Sequence, residues 1–233
     1  MLQAGAIDDG QFVEVYESSG RPLSDEQLGI LRQGSLAPIV INQQNAYFML
    51  NFFWALGLVN QNPILEQGQM MAGGQQEVGN FASTGGWTIG AKAATELYSS
   101  VEIVKLTPEQ QARLEEVANN VYRPCCGNPT SFPDCNHGMA VLGLLELMAS
   151  QGATVDQMFT AAKQVNAFWF PDQTLELATY FKAVEGKDFK AVDARRIVGK
   201  EFMSGSGFNQ VHQTLAAKGL LPQAPSSGQS CGV

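Results

Sequence analysis

AYFMLNFFWALGLV, residues 46–59, is the longest apolar run of the chain and decides its fold class. The run has 14 residues, whereas a helix needs about 20 apolar residues to span a membrane. Phe48, Phe52 and Leu56 recur at the spacing of one helix face. We therefore predict a buried core helix from about residue 43 to residue 60, and no transmembrane segment.

Helix signals occur along most of the remaining chain. Three capping boxes, each a Ser or Thr followed three residues later by Gln, predict helices that begin after Ser24, Thr107 and Thr154. Apolar residues at helical spacing predict two further helices, over residues 91–105 and 188–203. Helices should therefore account for most of the structure.

The predicted fold is mainly α, an irregular multi-helix bundle with a cysteine-rich loop between two helices and a flexible C-terminal tail. Residues 68–90 contain seven glycines, too many for one uninterrupted helix, and are predicted to form loops. Only residues 12–15 suggest a strand. Because 45% of the residues are apolar, we predict a single helical domain over residues 1–221. Residues 222–233, rich in Pro, Ser, Gly and Gln, are predicted to be the tail.

The chain has few charged residues, and its net charge is negative. It has 14 basic and 22 acidic residues, for a net charge of −8, and no more than two basic residues are adjacent. Nucleic-acid binding is therefore disfavoured, because it needs a basic patch. The polar surface is predicted to consist largely of amides, which suits contact with a protein partner or with a second copy of the chain.

The N-terminal sequence bears on cellular location. No charged segment followed by an apolar segment indicates a signal peptide. Leu2-Gln3-Ala4 resembles the residues before the lipid-bearing cysteine of a bacterial lipoprotein, although Gly5 stands in the place of that cysteine. We expect an extracytoplasmic protein, which would be periplasmic, secreted or membrane-anchored before processing.

One loop carries the residues suited to chemistry. Cys125, Cys126, Cys135 and His137 fall within 13 residues in the pattern Cys-Cys-x8-Cys-x-His, although the chain has only four cysteines and two histidines. Sulfur and imidazole nitrogen suit copper, zinc or an iron–sulfur cluster and are poor ligands for calcium and magnesium. We predict that these four residues hold one copper or zinc ion, with an iron–sulfur cluster as the alternative occupant.

Two further residues could complete this metal site. Met139 lies two residues after His137 and offers a thioether sulfur. Cys231 is the fourth cysteine and lies ten residues after Leu221. A ten-residue extended segment reaches about 33 to 36 Å, so the tail is long enough to return to the loop.

Two alternative functions use the same cysteines. In a thiol–disulfide redox protein, Cys135 would be the reactive thiol, because the start of a helix favours its thiolate, and Cys125 or Cys126 would resolve the mixed disulfide. In a structural or assembly subunit, a disulfide from Cys125 or Cys126 to Cys135 would staple the loop. No sequence feature assigns an enzymatic reaction to the chain.

The triplet Cys125-Cys126-Gly127 resembles the Cys-Cys-Gly signature of the iron–sulfur domains of heterodisulfide-reductase-type proteins. The resemblance covers these three residues and implies cluster ligation by the two cysteines. The pattern of that family also has a distant upstream cysteine and a downstream Cys-x-x-Cys, and this sequence has neither.

Overall fold

The computed structural model describes residues 1–35 and 37–222. Within these residues the secondary structure consists of α-helices, three short 3-10 turns and two isolated β-bridges, without a strand. The prediction of a mainly α fold is therefore confirmed. The predicted tail, apart from Pro222, and Cys231 lie outside the described residues. No helix in the described part of the chain has the length and apolar character needed to cross a membrane.

The helices are numbered in chain order. They are α1 (Asp9–Ser18), α2 (Asp25–Gln33), α3 (Ala46–Val59), α4 (Pro63–Glu66), α5 (Ala82–Gly85), α6 (Ala94–Leu97), α7 (Pro108–Ala118), α8 (Asn136–Ser150), α9 (Val155–Trp169), α10 (Pro171–Glu185), α11 (Ala194–Val198), α12 (Lys200–Met203) and α13 (Gly205–Ala217). The 3-10 turns are Gln69–Met71, Val78–Asn80 and Phe189–Ala191.

The chain divides into two compact units. The first unit contains Met1–Lys105 and Asp134–Leu144. The second contains Leu106–Pro133 and the described residues from Leu145 onward. The single domain expected over residues 1–221 stays a prediction.

Helix α3 is the centre of the first unit. Twelve of its 14 residues are buried, as the apolar run predicts. The aromatic rings of Phe12 and Tyr16 in α1 pack against the ring of Phe48. Further along α3, the indole of Trp54 packs edge-on against Trp87, and its Nε1–H donates to the carbonyl of Ser83. Burial of these rings contributes to the stability of this unit.

The backbones of α3 and the first part of α8 touch at two glycines. A Cβ atom on Gly57 would overlap the carbonyl oxygen of Met139, and one on Gly143 would overlap the carbonyl oxygen of Phe53. Only glycine permits helix backbones to approach this closely. The start of α8, which follows the cysteine-rich loop, is therefore held against the best-buried helix of the first unit.

The second unit has its own apolar core around α10 and α13. Its buried residues are Leu177, Phe181, Val192, Ile197, Phe202, Met203, Val211 and Leu215. At the edge of this core, the Arg196 guanidinium makes two hydrogen bonds of 2.7 Å to the carboxylate of Glu185. The same guanidinium lies over the rings of Phe181 and Phe202, at 5.3 and 4.8 Å from their centroids. Arg196 thus links α10, α11 and α12 by charge as well as by packing.

The predicted strand over residues 12–15 is wrong, because this stretch lies inside α1. Phe12 and Tyr16 are the buried residues of that helix, and their spacing of four residues places them on one helix face. Asp8 caps the helix by accepting a hydrogen bond from the backbone N–H of Gln11 at 2.9 Å. The β-branched residues between the aromatics are therefore accommodated in a helix that tertiary burial stabilises.

The helix predicted over residues 91–105 is also largely wrong. Only the single turn α6 forms, and Ser99 then adopts a left-handed φ of 48°. The backbone N–H of Ser99 donates to the carbonyl of Leu58 at 2.8 Å, and that of Val101 donates to the carbonyl of Val59 at 3.0 Å. This segment therefore completes the carbonyl hydrogen bonds at the end of α3 instead of forming a helix of its own.

The helix predicted over residues 188–203 is divided into three short pieces. A 3-10 turn is followed by α11 and α12, and extended backbone at Gly199 separates these two helices. The carboxylate of Asp193 accepts from the N–H of Arg195 at 2.7 Å and so starts α11 as a cap. Apolar spacing alone did not reveal these two interruptions, because each is set by one local residue.

Candidate metal centre

Backbone hydrogen bonds close the first half of the cysteine-rich loop. Tyr122 and Pro129 form an isolated antiparallel bridge, and the N–H of Thr130 donates to the carbonyl of Val121 at 2.8 Å. The hydroxyl of Thr130, which is fully buried, donates to the same carbonyl at 3.0 Å. Residues 123–128 therefore form a short closed loop on a fixed base.

The buried side chain of Arg123 supports Cys126 from within this loop. Arg123 has no exposed surface, and its Nη2–H donates to Sγ of Cys126 at 3.1 Å. The carbonyl of Cys126 accepts a hydrogen bond of 2.7 Å from the backbone N–H of Gly205, at the start of α13. A guanidinium donor stabilises a thiolate more than a thiol, so this environment favours the metal-binding form of Cys126.

Cys135 lies directly before α8. Its carbonyl accepts from the N–H of Met139 at 3.0 Å, which is the first turn of the helix. Its Sγ accepts from the N–H of Gly138 at 3.4 Å. The preceding carbonyl, that of Asp134, accepts from the N–H of Ser83 at 3.1 Å. The start of α8 therefore places one backbone N–H donor and a positive helix end at the sulfur of Cys135, as the sequence predicted.

Three of the predicted ligands form one group. The Sγ atoms of Cys125, Cys126 and Cys135 all lie within 4.8 Å of one another. Two sulfurs bound to one tetrahedral zinc ion are about 3.8 Å apart, because each zinc–sulfur bond is about 2.3 Å long. These three sulfurs are therefore candidate ligands for one metal ion. No disulfide joins these three cysteines, and Cys125 is exposed while the other two are half-buried.

His137 lies in the first turn of α8, two residues after Cys135. Its ring is buried, and Nδ1 is 2.8 Å from Oδ1 of Asn136. In the tautomer that donates from Nδ1 to this oxygen, the lone pair of the ring lies on Nε2, and metal-binding histidines commonly donate their other ring N–H in this way. The group of atoms within 4.8 Å contains the three sulfurs alone, and ligation by His137 stays a prediction.

Met139 and Cys231 are the other two candidate ligands. Met139 is fully buried in α8, and its carbonyl oxygen lies where a Cβ atom on Gly57 would be. Its role as a weak metal ligand stays a prediction. Cys231 lies outside the described residues.

Arg123 and Gly205 were not predicted from the sequence. Neither residue type is a metal ligand, and the contacts that matter, from Nη2 to Sγ and from N–H to the carbonyl of Cys126, depend on folding. A basic residue three positions before Cys126 in a chain with only 14 basic residues was the one available signal for Arg123.

Comparison with known proteins found no matching family model, no similar curated protein and no similar solved structure. The three thiols and the groups that contact them are therefore the features of the chain that point to a function.

Proposed function

We propose that this protein binds one thiophilic metal ion through Cys125, Cys126 and Cys135, with His137 as the fourth ligand. The observation that carries the proposal is the approach of the three Sγ atoms to within 4.8 Å of one another. Thiolates and imidazole form a complete ligand set for zinc or copper. The protein acts in an extracytoplasmic compartment in this proposal.

The arrangement favours a metal ion over a disulfide staple. A disulfide would join two of the three sulfurs and leave the third beside it, whereas one ion engages all three. Vicinal Cys125 and Cys126 rarely pair with each other, because the peptide between them would have to distort. Donors point at the sulfurs of Cys126 and Cys135, and such donors favour the deprotonated form that metal binding requires.

The number of ligands separates the candidate ions. Three thiolates with one imidazole are a known tetrahedral set for zinc. Three thiolates without the imidazole suit Cu⁺, which prefers soft ligands. An iron–sulfur cluster normally uses four cysteines, and the loop supplies three. The state of His137 in the loaded protein therefore decides between zinc and copper.

Thiol–disulfide exchange is a second candidate, supported by the same donors. Cys135 would attack a substrate disulfide as a thiolate, forming a mixed disulfide and releasing one substrate thiolate. Cys126 or Cys125 would then displace the second substrate sulfur and leave an internal disulfide. Both electrons taken up by the substrate come from the two cysteines, so the step needs no other reductant. An assembly role with a stapled loop remains the third prediction.

The test is elemental analysis of protein purified under reducing conditions without chelator. We expect one zinc or copper ion per chain, and we expect Cys126→Ser and Cys135→Ser each to lose it, because the remaining ligands cannot complete the shell. Unchanged metal content in both variants contradicts the proposal. Thiol counting before and after reduction of protein purified without reductant tests both disulfide alternatives, because an internal disulfide would raise the count by two thiols on reduction.

A further inference from the structure

The segment between α2 and α3, in the first unit, has the alternating pattern of a β-strand. Residues 38–41 run without a helix, a turn or a bend. Ile39 and Ile41 are half-buried, whereas Val40 between them is 67% exposed. No other large apolar side chain in the described part of the chain is exposed to this extent. One face of the segment therefore packs against the protein, and the other presents Val40 to solvent.

The side chain of Asn45 occupies one edge of this segment. Its Nδ2 donates to the carbonyl of Val40 at 2.8 Å, and its Oδ1 accepts from the backbone N–H of Asn42 at 2.8 Å. In an extended chain the backbone groups of residues 40 and 42 point to the same edge, whereas those of residue 41 point to the opposite edge. The amide of Asn45 therefore takes the place of a neighbouring strand on the first edge.

The opposite edge carries the backbone groups of Ile39 and Ile41. Their N–H groups donate to no acceptor within the residues that the structure describes. Pro38 has no N–H, but it lies in register with Val40 and so does not interrupt this edge. Proteins commonly protect an edge of this kind with charged side chains, and residues 33–65 contain none. The edge therefore has the hydrogen-bonding groups with which a further strand pairs.

We propose that this further strand is the same segment of a second copy of the chain. In an antiparallel pair around a two-fold axis at Val40, Ile39 of each copy lies opposite Ile41 of the other, and each of these residue pairs exchanges both of its N–H···O bonds. The two Val40 side chains then meet on the exposed face and cover each other. The segment is thus self-complementary, as a two-fold contact requires.

The charge distribution favours a second copy at this segment. The chain has a net charge of −8, so two copies repel each other. Residues 33–65 carry no charge, and Arg32, directly before them, is paired with Asp9 at 3.0 Å. Pairing at residues 38–41 therefore brings no like charges together. This association goes beyond the proposed function and does not depend on the metal ion.

The test is sedimentation of the full chain under reducing conditions, which exclude disulfide-linked dimers. We expect a reversible dimer whose population rises between about 10 µM and about 1 mM, because a contact of this size is typical of weak interfaces. Val40→Asp places two like charges opposite each other at the axis and should lower the association constant about tenfold or more. Because Val40 is exposed, this substitution should not affect folding of the monomer.

Gln43→Asp is the matched control for this experiment. It adds the same charge at an exposed position three residues later in the chain, away from the axis, and should still dimerise. A dimer that persists in Val40→Asp overturns the inference. A chain that stays monomeric over the whole concentration range also overturns it, and the edge is then left for an extended segment of another protein.

Amide hydrogen exchange tests the register of the pair. In the dimer the N–H groups of Ile39 and Ile41 are hydrogen-bonded, whereas the N–H of Val40 points to the other edge. Exchange at Ile39 and Ile41 should therefore slow about tenfold when about nine-tenths of the chain is dimeric, because exchange then occurs from the monomer. Exchange at Val40 should not change. Equal slowing at all three residues, or slowing at none of them, contradicts the pairing.

Discussion

The Nη2 atom of Arg123 donates a hydrogen bond of 3.1 Å to Sγ of Cys126, and the whole Arg123 side chain is buried. A guanidinium donor favours the deprotonated form of the sulfur that accepts from it. We therefore assign Arg123 a positioning role, in which it orients Cys126 for metal binding.

Replacement of Arg123 tests this role. Arg123→Met removes the donor and the charge while it keeps much of the apolar volume, and we expect metal affinity to fall about 10- to 100-fold, as for other groups that orient metal ligands. Arg123→Lys keeps the charge and should recover part of the affinity. The measurement is a competition titration, with thermal unfolding as a control for folding. Equal affinity in all three proteins would remove Arg123 from the account.

The contact between α3 and α8 predicts a stability difference between two glycines. Gly57→Ala places a methyl group against the carbonyl oxygen of Met139, and such overpacking costs about 1–3 kcal/mol of unfolding free energy. Gly29→Ala is the matched control, because Gly29 lies within α2 with no atom within 4 Å of its added Cβ. Alanine there should stabilise the helix by about 0.5–1 kcal/mol. Urea unfolding gives the free energy of unfolding of both variants. Similar values for the two variants would mean that α3 and α8 do not touch.

The pair Glu185 and Arg196 predicts a pH dependence of stability. Hydrogen bonding by the Arg196 guanidinium lowers the pKa of Glu185 below its ordinary value of 4.5. A carboxyl group with a lowered pKa in the folded state stabilises the protein above the unfolded pKa, and this contribution is lost as the pH falls through the folded pKa. We therefore expect Glu185→Gln to flatten the loss of stability below pH 4.5.

The control for this prediction is Glu26→Gln, at an exposed position in α2. The free energy of unfolding of both variants is measured from about pH 3 to about pH 7, a range that includes the ordinary pKa values of carboxyl groups. If Glu185→Gln and Glu26→Gln have the same pH profile, the ion pair with Arg196 does not contribute to folding.

Local sequence signals predicted the helix starts because each cap uses residues three positions apart. In the Ser24 box, the N–H of Gln27 donates to the Ser24 hydroxyl at 3.2 Å, and the N–H of Ser24 donates to the Gln27 side chain at 2.9 Å. The boxes at Thr107 and Thr154 form in the same way. This chemistry needs no partner from elsewhere in the chain, so a sequence pattern suffices to predict it.

Contacts between distant residues could not be predicted in this way. Ser99 and Val101 leave the helical conformation to bond with the end of α3, about 40 residues earlier in the chain. The contact of Arg123 with Cys126 is local in sequence, but the complete burial of Arg123 is a result of folding. The three cysteines could be predicted as a group because few residue types offer a sulfur ligand. The residues that support them, such as Arg123 and Gly205, are not metal ligands and carry no such signal.

Deletion of residues 223–233 tests whether Cys231 is a ligand. The three loop cysteines and His137 already supply four ligands, so we expect unchanged metal content and affinity in the shortened chain. Elemental analysis and competition titration check this expectation. Loss of metal on deletion would show that Cys231 belongs to the site, and the ligand set would then have to be revised.

X-ray absorption spectroscopy at the metal edge tests the central claim most directly, because it counts the sulfur atoms bound to the ion. For the full chain loaded with its native metal, the account predicts three sulfur neighbours at about 2.3 Å and, for zinc, one nitrogen neighbour at about 2.0–2.1 Å. A first shell of nitrogen and oxygen without sulfur in the unmodified protein would contradict the account.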